Sequence, residues 1–412
     1  MKSRSTHEAG NVKTTGIIAE YNPFHNGHKY HIEETRRQTG ADRIAVIMSG
    51  SFVQRGEPAF ADKFVRAGWA LDNGADVVLE LPDVFSLSCA ERFASGAVRI
   101  LSGCGAADIL SFGSETGDIE KLRKIAFAGE DRSKLEEALK EGKSYPRAVA
   151  ESTGSSLSPN DILALEYIKA ASKCCPDAEL FTVRREGGGY SDNELSGEFS
   201  SANAIRKALG RYCDGSKMSP AVFDGLNNAM PRSVLEGISA LVREGKAPVD
   251  ISGLSDLLLY RLRSMDTEEL ALLPEVAEGL ENLIARECMN ANDIGELLTA
   301  VKSKRYTMAR IKRILMYALL GITAELQNAA AVDVSALYAR VLGIRKGSSD
   351  VLDRLHSEAT IPVIIKASDR ETLPPLARRV ERISALAHSI RAVGQPYEKS
   401  VREDSAYRLI VR

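Results

Sequence analysis

Apolar and polar positions follow two different rhythms along this chain, and the rhythm changes at about residue 215. Before that point, short runs rich in Val, Ile and Leu alternate with longer segments of helical spacing. Residues 15–21 (TGIIAEY), 43–50 (RIAVIMSG), 75–82 (ADVVLELP) and 107–115 (ADILSFGSE) read as strands, and 178–192 (AELFTVRREGGGYSD) holds another strand followed by a loop. Segments 28–40, 62–74, 89–105, 159–173 and 200–212 read as helices, with Gly40 and Gly74 as stops and a serine at the start of the last. A charged helical pattern runs from 118 to 159. This alternation predicts an α/β fold with a Rossmann-like, doubly wound parallel sheet, which binds ligands at the carboxyl ends of its strands.

After residue 215 the strand-like runs nearly vanish. Segments 233–245, 254–265, 276–288, 294–304 and 307–322 are patterned as helices, and 361–368 (IPVIIKAS) is the one late segment with strand character. The expected organisation is a disordered leader at 1–14, a unit of alternating strands and helices at 15–215 and a mainly helical unit at 216–412.

Composition narrows the field. With 44% hydrophobic and 27% charged residues, the chain has the make-up of a soluble globular protein. A net charge of -2 means that any nucleic-acid surface is a local patch. No apolar run approaches the ~20 residues of a membrane span, and the polar N-terminus lacks a signal-peptide core. The six cysteines form no CxxC pair, so neither a zinc site nor a disulfide framework is expected, and a cytoplasmic location is. Nothing in the pattern sets an oligomeric state.

The chemistry concentrates in EYNPFHNGHKYH, residues 20–31, where three of the six histidines fall at a strand-to-helix turn. No GxGxxG follows the first strand, and the tripeptide at 142–144 (GKS) lies in a helical context that no phosphate loop uses. His25 and His28 are spaced to share one helix face, and Gly27 between them lets a ligand approach the backbone. A helix N-terminus already favours an anion, and two imidazoles there are donors to phosphate. The alternatives are structural histidines or a metal held with His31, for which no HExxH or carboxylate-rich partner is present. A second candidate is VKSKRYTMARIKRI, residues 301–314. Lys302, Lys304, Arg305, Arg310, Lys312 and Arg313 stand there without an acid, and Tyr306 is interleaved. It reads as an RNA-gripping patch, a solvated face or a protein contact.

HNGH after a first strand resembles the HxGH signature of the HIGH superfamily of nucleotidyltransferases. The longer run GIIAEYNPFHNGHKYH, with MSGSFVQRGEPA, FGSETG, SPNDILALEY and SSANAIRKAL in the same order, is similar to the bacterial tRNA(Met) cytidine acetate ligase family. The resemblance implies a HIGH-type nucleotidyltransferase fold and a two-step ligase reaction. Acetate attacks the α-phosphate of ATP, giving acetyl-adenylate and diphosphate. The N4 amine of the wobble cytidine of elongator tRNA(Met) then takes the acetyl group, giving N4-acetylcytidine and AMP. Magnesium is expected with the ATP. No separate metal site and no membrane partner are expected.

By the same resemblance, His25 and His28 are catalytic. The ATP-binding segment maps to Ile18, Ala19, Glu20, Tyr21, Asn22, Pro23, Phe24, His25, Asn26, Gly27, His28, Lys29, Tyr30 and His31, with Gly113, Asn160, Arg185 and Glu186. The family usually has an apolar residue at Glu186, so only a backbone contact is implied there. Without the family, Gly113 reads equally as a turn glycine and Asn160 as a helix cap, and a surface charge is the lesser alternative for Arg185. Ser200, Ser201 and Arg206, in SSANAIR, resemble the ISSTxxR motif of related nucleotidyltransferases and are candidate phosphate contacts, with helix capping as the alternative for the serines. Arg55 and Lys63 are candidate contacts for acetate or tRNA. The basic stretch becomes the expected tRNA grip. Two other functions stay open on the residues: a small-molecule adenylyltransferase, and a non-catalytic RNA-binding protein with a relict nucleotide site.

Overall fold

A computed structural model of the chain describes residues 12–127, 157–187, 194–195, 197–213 and 220–412. Outside these lie most of the expected leader, most of the charged helical stretch with its 142–144 tripeptide, most of the loop expected after residue 184 and the expected boundary at 215. Strand β1 (Thr14–Ala19) already includes the last residue of the expected leader.

The strands are β1, β2 (Arg43–Ser49), β3 (Phe52–Val53), β4 (Glu57–Pro58), β5 (Val77–Leu81), β6 (Ile109–Ser114), β7 (Glu179–Arg184), β8 (Ala339–Ile344), β9 (Val363–Ile364) and β10 (Ile410–Val411). Among the described residues the main sheet runs β10-β8-β5-β2-β1-β6-β7, with β9 beside β8. All its pairings are parallel except β5 with β8. The chain winds from β1 through β2 to β5, then crosses back to place β6 on the other side of β1. That reversal opens a crevice at the carboxyl ends of β1 and β6, the place such sheets bind ligands.

Both sheet faces are buried, which is why the strands read as nearly unbroken apolar runs. Ile17, Ile44, Val46, Met48 and Val78 face one way, with Ile32 of α1 (Asn26–Thr39) and Phe64 and Trp69 of α2 (Lys63–Asp72). Ile18, Ala45, Ile47, Val77 and Leu79 face the other, with α3 (Asp83–Ser86), α4 (Ala90–Gly103) and α6 (Pro159–Cys174), while α5 (Ile119–Phe127) packs on α6. Helices α7 (Ala202–Cys213), α8 (Pro220–Ala229) and α9 (Arg232–Arg243) join the α1–α2 face through Leu209, Leu226 and Val234.

The remaining helices are α10 (Ser255–Arg263), α11 (Thr267–Ala271), α12 (Leu280–Asn290), α13 (Ile294–Val301), α14 (Met308–Leu320), α15 (Ala324–Val332), α16 (Ser349–Glu358) and α17 (Pro375–Val393). Of these, α10, α13 and α17 pack on α14, which is buried continuously from Ile314 to Leu320, while α16 pairs with Arg43 and Asp108 through Asp350 and Arg354. Their core is continuous with the α4–α6 face of the sheet. No single described helix is long and apolar enough to cross a membrane.

The sheet does not end with the first half of the chain. β8, β9 and β10 come from beyond residue 330 and extend it past β5. A buried ionic cluster fastens this addition. Lys63 of α2 is fully buried and bonds Glu80 of β5 at 2.6 Å and Asp404 at 2.7 Å. Arg340 of β8 pairs with the same two carboxylates, and Arg370 reaches Asp404 and Glu381, each at 2.7 Å. Lys63 is therefore corrected from a candidate acetate or tRNA contact to an interior tie, closed to solvent on every side.

Candidate active site

The crevice holds a cleft, and a narrower recess opens beside it. Both share His25, His28, His31, Gly113, Arg185 and Ser201 as walls. The larger continues over Glu20, Arg55, Phe93, Phe112, Asn160, Tyr167 and Arg206, and the smaller over Tyr30, Val183, Glu186 and Ser200.

The histidines are set by the turn that carries them. After β1 the chain turns at Tyr21, whose φ is +48°, and passes a cis Asn22–Pro23 bond. The Asn22 side chain accepts the Phe60 N–H at 2.7 Å, and its carbonyl accepts Arg206 Nη1 at 2.7 Å. His25 then stands at the N-cap of α1, whose first turn has no acidic residue. The His25 and His28 rings stack, centroids 3.7 Å apart and 24° from parallel. Gly27 makes room for this: a Cβ there would lie 2.9 Å from His25 Cε1.

A backbone bond assigns the tautomer of His28. Its Nδ1 accepts the His25 N–H at 3.2 Å, so in the neutral ring the proton resides on Nε2. Burial, then Arg185 and Arg206, pushes His25 down to about 3. Burial and the charges of His25, Arg185 and His31 hold His28 well below the usual range, and burial with Arg185 lowers His31 to about 4. At neutral pH the three rings are uncharged hydrogen-bonding groups, and the local positive charge comes from arginine.

His31 belongs to the cleft and is more than a surface residue of α1. Its Nε2 lies 3.1 Å from Ser111 Oγ in β6, and Ser111 Oγ lies 2.7 Å from Thr35 Oγ1. Glu115, in the FGSETG segment but not singled out from the sequence, organises the opposite wall. It accepts Asn160 Nδ2 at 2.6 Å and the Ser158 hydroxyl, and Arg185 Nε stands 3.6 Å away. Ser158 caps α6, which leaves the Asn160 amide to line the cleft. The Glu20 carboxyl accepts the Gln54 N–H at 2.9 Å. Arg66, fully buried, gathers the carbonyls of Glu20, Ser49, Gly50 and Ala61 and so fixes the ends of β1 and β2.

Comparison with known proteins fits this geometry. The HIGH Nucleotidyl Transferase family model matches residues 12–405. The tRNA(Met) cytidine acetate ligase of Acetivibrio thermocellus is 36% identical over 388 residues, spanning 90% of this chain and 92% of the relative. That of Caldanaerobacter subterraneus is 38% identical, spanning 90% and 93%. The chain belongs to the tRNA(Met) cytidine acetate ligase family, within the HIGH nucleotidyl transferases. Among solved structures, Thermotoga maritima TmcAL in its apo form superposes with a TM-score of 0.89 at 30% identity, covering 97% of this chain and 99% of that one. The same protein bound with alpha-thio ATP superposes with a TM-score of 0.86 at the same identity and coverage.

For a member of this family, the residues read from the sequence fall in three groups. Ile18, Ala19, Glu20, Tyr21, His25, Gly27, His28, Tyr30, His31, Gly113, Asn160, Arg185, Glu186, Ser200, Ser201, Arg206 and Arg55 line the two recesses. Asn22 and Phe24 are buried supports behind the histidines, and Asn26 donates to the Asn228 carbonyl at 2.7 Å. The exposed Lys29 pairs with Glu33. The Glu186 side chain adds a bond from Tyr30 Oη at 3.2 Å, which a backbone contact alone does not include. Ser201 Oγ caps α7 by accepting the Ala204 N–H at 3.1 Å, so its capping role is realised.

The basic stretch is mostly not a free surface. Tyr306 is 6% exposed and cannot offer its ring to a base. Arg310 donates twice to the Glu275 carbonyl, at 2.9 and 2.6 Å. Arg313 grips the Glu275 carboxylate, and Lys312 pairs with Glu57. Lys302 folds back onto the Ser303 and Tyr306 carbonyls. Exposed Arg305 pairs loosely with Glu278 at 3.1 Å, and Lys304 is exposed. Tyr306, Lys312 and Arg313 are thus corrected to structural roles, because Tyr306 is buried and acids distant in sequence pair with the two cations, while Arg310 is tied to a carbonyl and keeps its charge.

Proposed function

We propose that this chain activates acetate with ATP and transfers the acetyl group to N4 of the wobble cytidine of elongator tRNA(Met), in the cytoplasm. The observation that carries the reading is the stacked, neutral His25–His28 pair at the open N-terminus of α1, at the sheet's switch point, in a chain of this family.

Acetate is ionised at neutral pH and needs no base to attack phosphorus. What the first step needs is alignment and stabilisation of charge on the α-phosphate and the departing diphosphate. The N–H groups at the start of α1 and the His28 Nε2–H supply donors whose charge does not change with the step. Arg185 and Arg206 supply fixed positive charge. The smaller recess, between Gly113, Val183 and Tyr30, suits the nucleoside, and the larger suits acetate and then the cytidine. Among the described residues no group of three or more His, Cys, Asp or Glu is arranged to hold a metal. Magnesium is proposed to arrive on the phosphates, which provide its oxygen ligands.

The test is incubation with ATP, magnesium and labelled acetate, with and without bacterial tRNA, followed by digestion to nucleosides. Label in N4-acetylcytidine is expected. Acetyl-adenylate with no label in tRNA would point instead to a small acceptor.

A further inference from the structure

We propose that Glu20 is the catalytic base of the second step, taking the proton that the cytidine N4 amine releases as it is acetylated. This rests on the reaction proposed above, for which the sequence offered no residue in that role.

Glu20 directly follows β1, so it is held by the sheet itself, and its side chain lines the larger recess. One carboxyl oxygen is pinned by the Gln54 N–H at 2.9 Å. The other makes no hydrogen bond among the described residues. Around it the recess is apolar on one side, where the Phe112 and Tyr167 rings meet at 5.5 Å beside Phe93. The three rings are themselves buried and make that side of the recess a dry floor, while the half-buried Glu20 carboxylate stays open to an exocyclic amine that enters the recess. The same wall has no use for a triphosphate, and a carboxylate there repels one.

Arg55 and Arg206 line the recess and Arg66 supports its floor; all three act on Glu20, as does the Gln54 N–H, and Tyr167 stands nearby. Burial is the largest influence and raises the carboxyl's affinity for a proton, while the arginines and the Gln54 N–H oppose it. In the transfer, the N4–C bond forms, the acetyl C–O bond to phosphorus breaks, AMP leaves with that electron pair, and the N4 proton passes to Glu20. No oxidant, metal or further reactant is needed. Cytidine N4 is a weak nucleophile, since its lone pair is delocalised into the ring. A positioned base is worth ~100-fold or more in such a step.

The experiment compares Glu20→Gln and Glu20→Asp with the parent chain in two readouts. Hydroxylamine traps acetyl-adenylate as acetohydroxamate without needing the base, and acetylation of tRNA reports the transfer. The ratio of tRNA acetylation to hydroxamate is expected to fall by ~100-fold in Glu20→Gln and to recover in part in Glu20→Asp. Single-turnover transfer by the parent should rise with pH through the Glu20 titration, and Glu20→Gln should lack that limb. A ratio unchanged in both variants, whether or not both activities fall, would overturn the assignment. Hydroxamate without any tRNA acetylation by the parent chain would instead overturn the reaction on which it rests.

Discussion

At the scale of single residues, the proposed site depends on neutral donors held in place. His28 has its Nδ1 committed to the His25 N–H, so only Nε2 remains to donate. His28→Ala is expected to slow acetyl-adenylate formation by ~100-fold or more, as loss of one charge-stabilising donor does, measured by pyrophosphate exchange on protein whose circular dichroism is unchanged. Gly27→Ala forces the His25 ring aside and is expected to cost ~100-fold in the same assay, since small misplacements carry that penalty. The titrations have a consequence for stability. Unfolded histidines titrate near ~6.5, whereas His31 and His25 stay neutral in the fold down to about 4 and about 3. Between those limits the unfolded chain binds more protons, so their contribution is complete above the unfolded value and is lost as pH falls toward 4 and 3. Melting temperature should therefore drop from pH 7 to 4, and less steeply in His31→Asn. The HNGH run announced this site because its spacing is local. Glu115 gave no such sign, because its bonds to Ser158, Asn160 and Arg185 join residues more than 40 positions away.

At the scale of elements, the hairpin of β3 and β4 and helix α14 explain where sequence pattern misleads. Gly56, with φ +77°, sits so close to α14 that a Cβ would lie 2.3 Å from the Arg313 nitrogen. The hairpin brings Glu57 to Lys312 and places Gln54 against Glu20, so a helix from the second half of the chain braces the floor of the cleft. Of the basic residues of 301–314, Lys312 and Arg313 serve this bracing. Tyr306→Ala is expected to destabilise the fold by ~3 kcal/mol, as loss of a buried aromatic does, seen as a lower melting temperature. Lys304→Glu with Arg305→Glu should leave melting nearly unchanged, since exposed pairs contribute ~0–1 kcal/mol. That double variant should weaken tRNA binding and flatten its dependence on salt, as removal of phosphate contacts does. The strands of the first half were legible because apolar runs of strand length recur between helices. β8 was not: ARVLGI is a lone strand among helices, and its partner β5 lies far back in the chain. β3 and β4 are two residues each, too short to give a period.

At the scale of the whole molecule, the two halves share one sheet and one continuous core. The final strands close over β5, and Lys63, Glu80, Arg340 and Asp404 lock them there in a dry interior. Removing one partner strands the others, so Lys63→Met is expected to cost ~3–5 kcal/mol of stability, read by thermal unfolding. Lys63 looked like a site residue because it follows a glycine-containing loop near a strand end. Its burial depends on three segments that meet only in the folded chain. We propose that the cleft at the switch point joins acetate to ATP. The most direct test is exchange of labelled pyrophosphate into ATP by the unmodified chain, without tRNA, with and without acetate. Exchange that requires acetate is the predicted result. Exchange that proceeds equally without acetate, or none when nucleotide is bound, would contradict it.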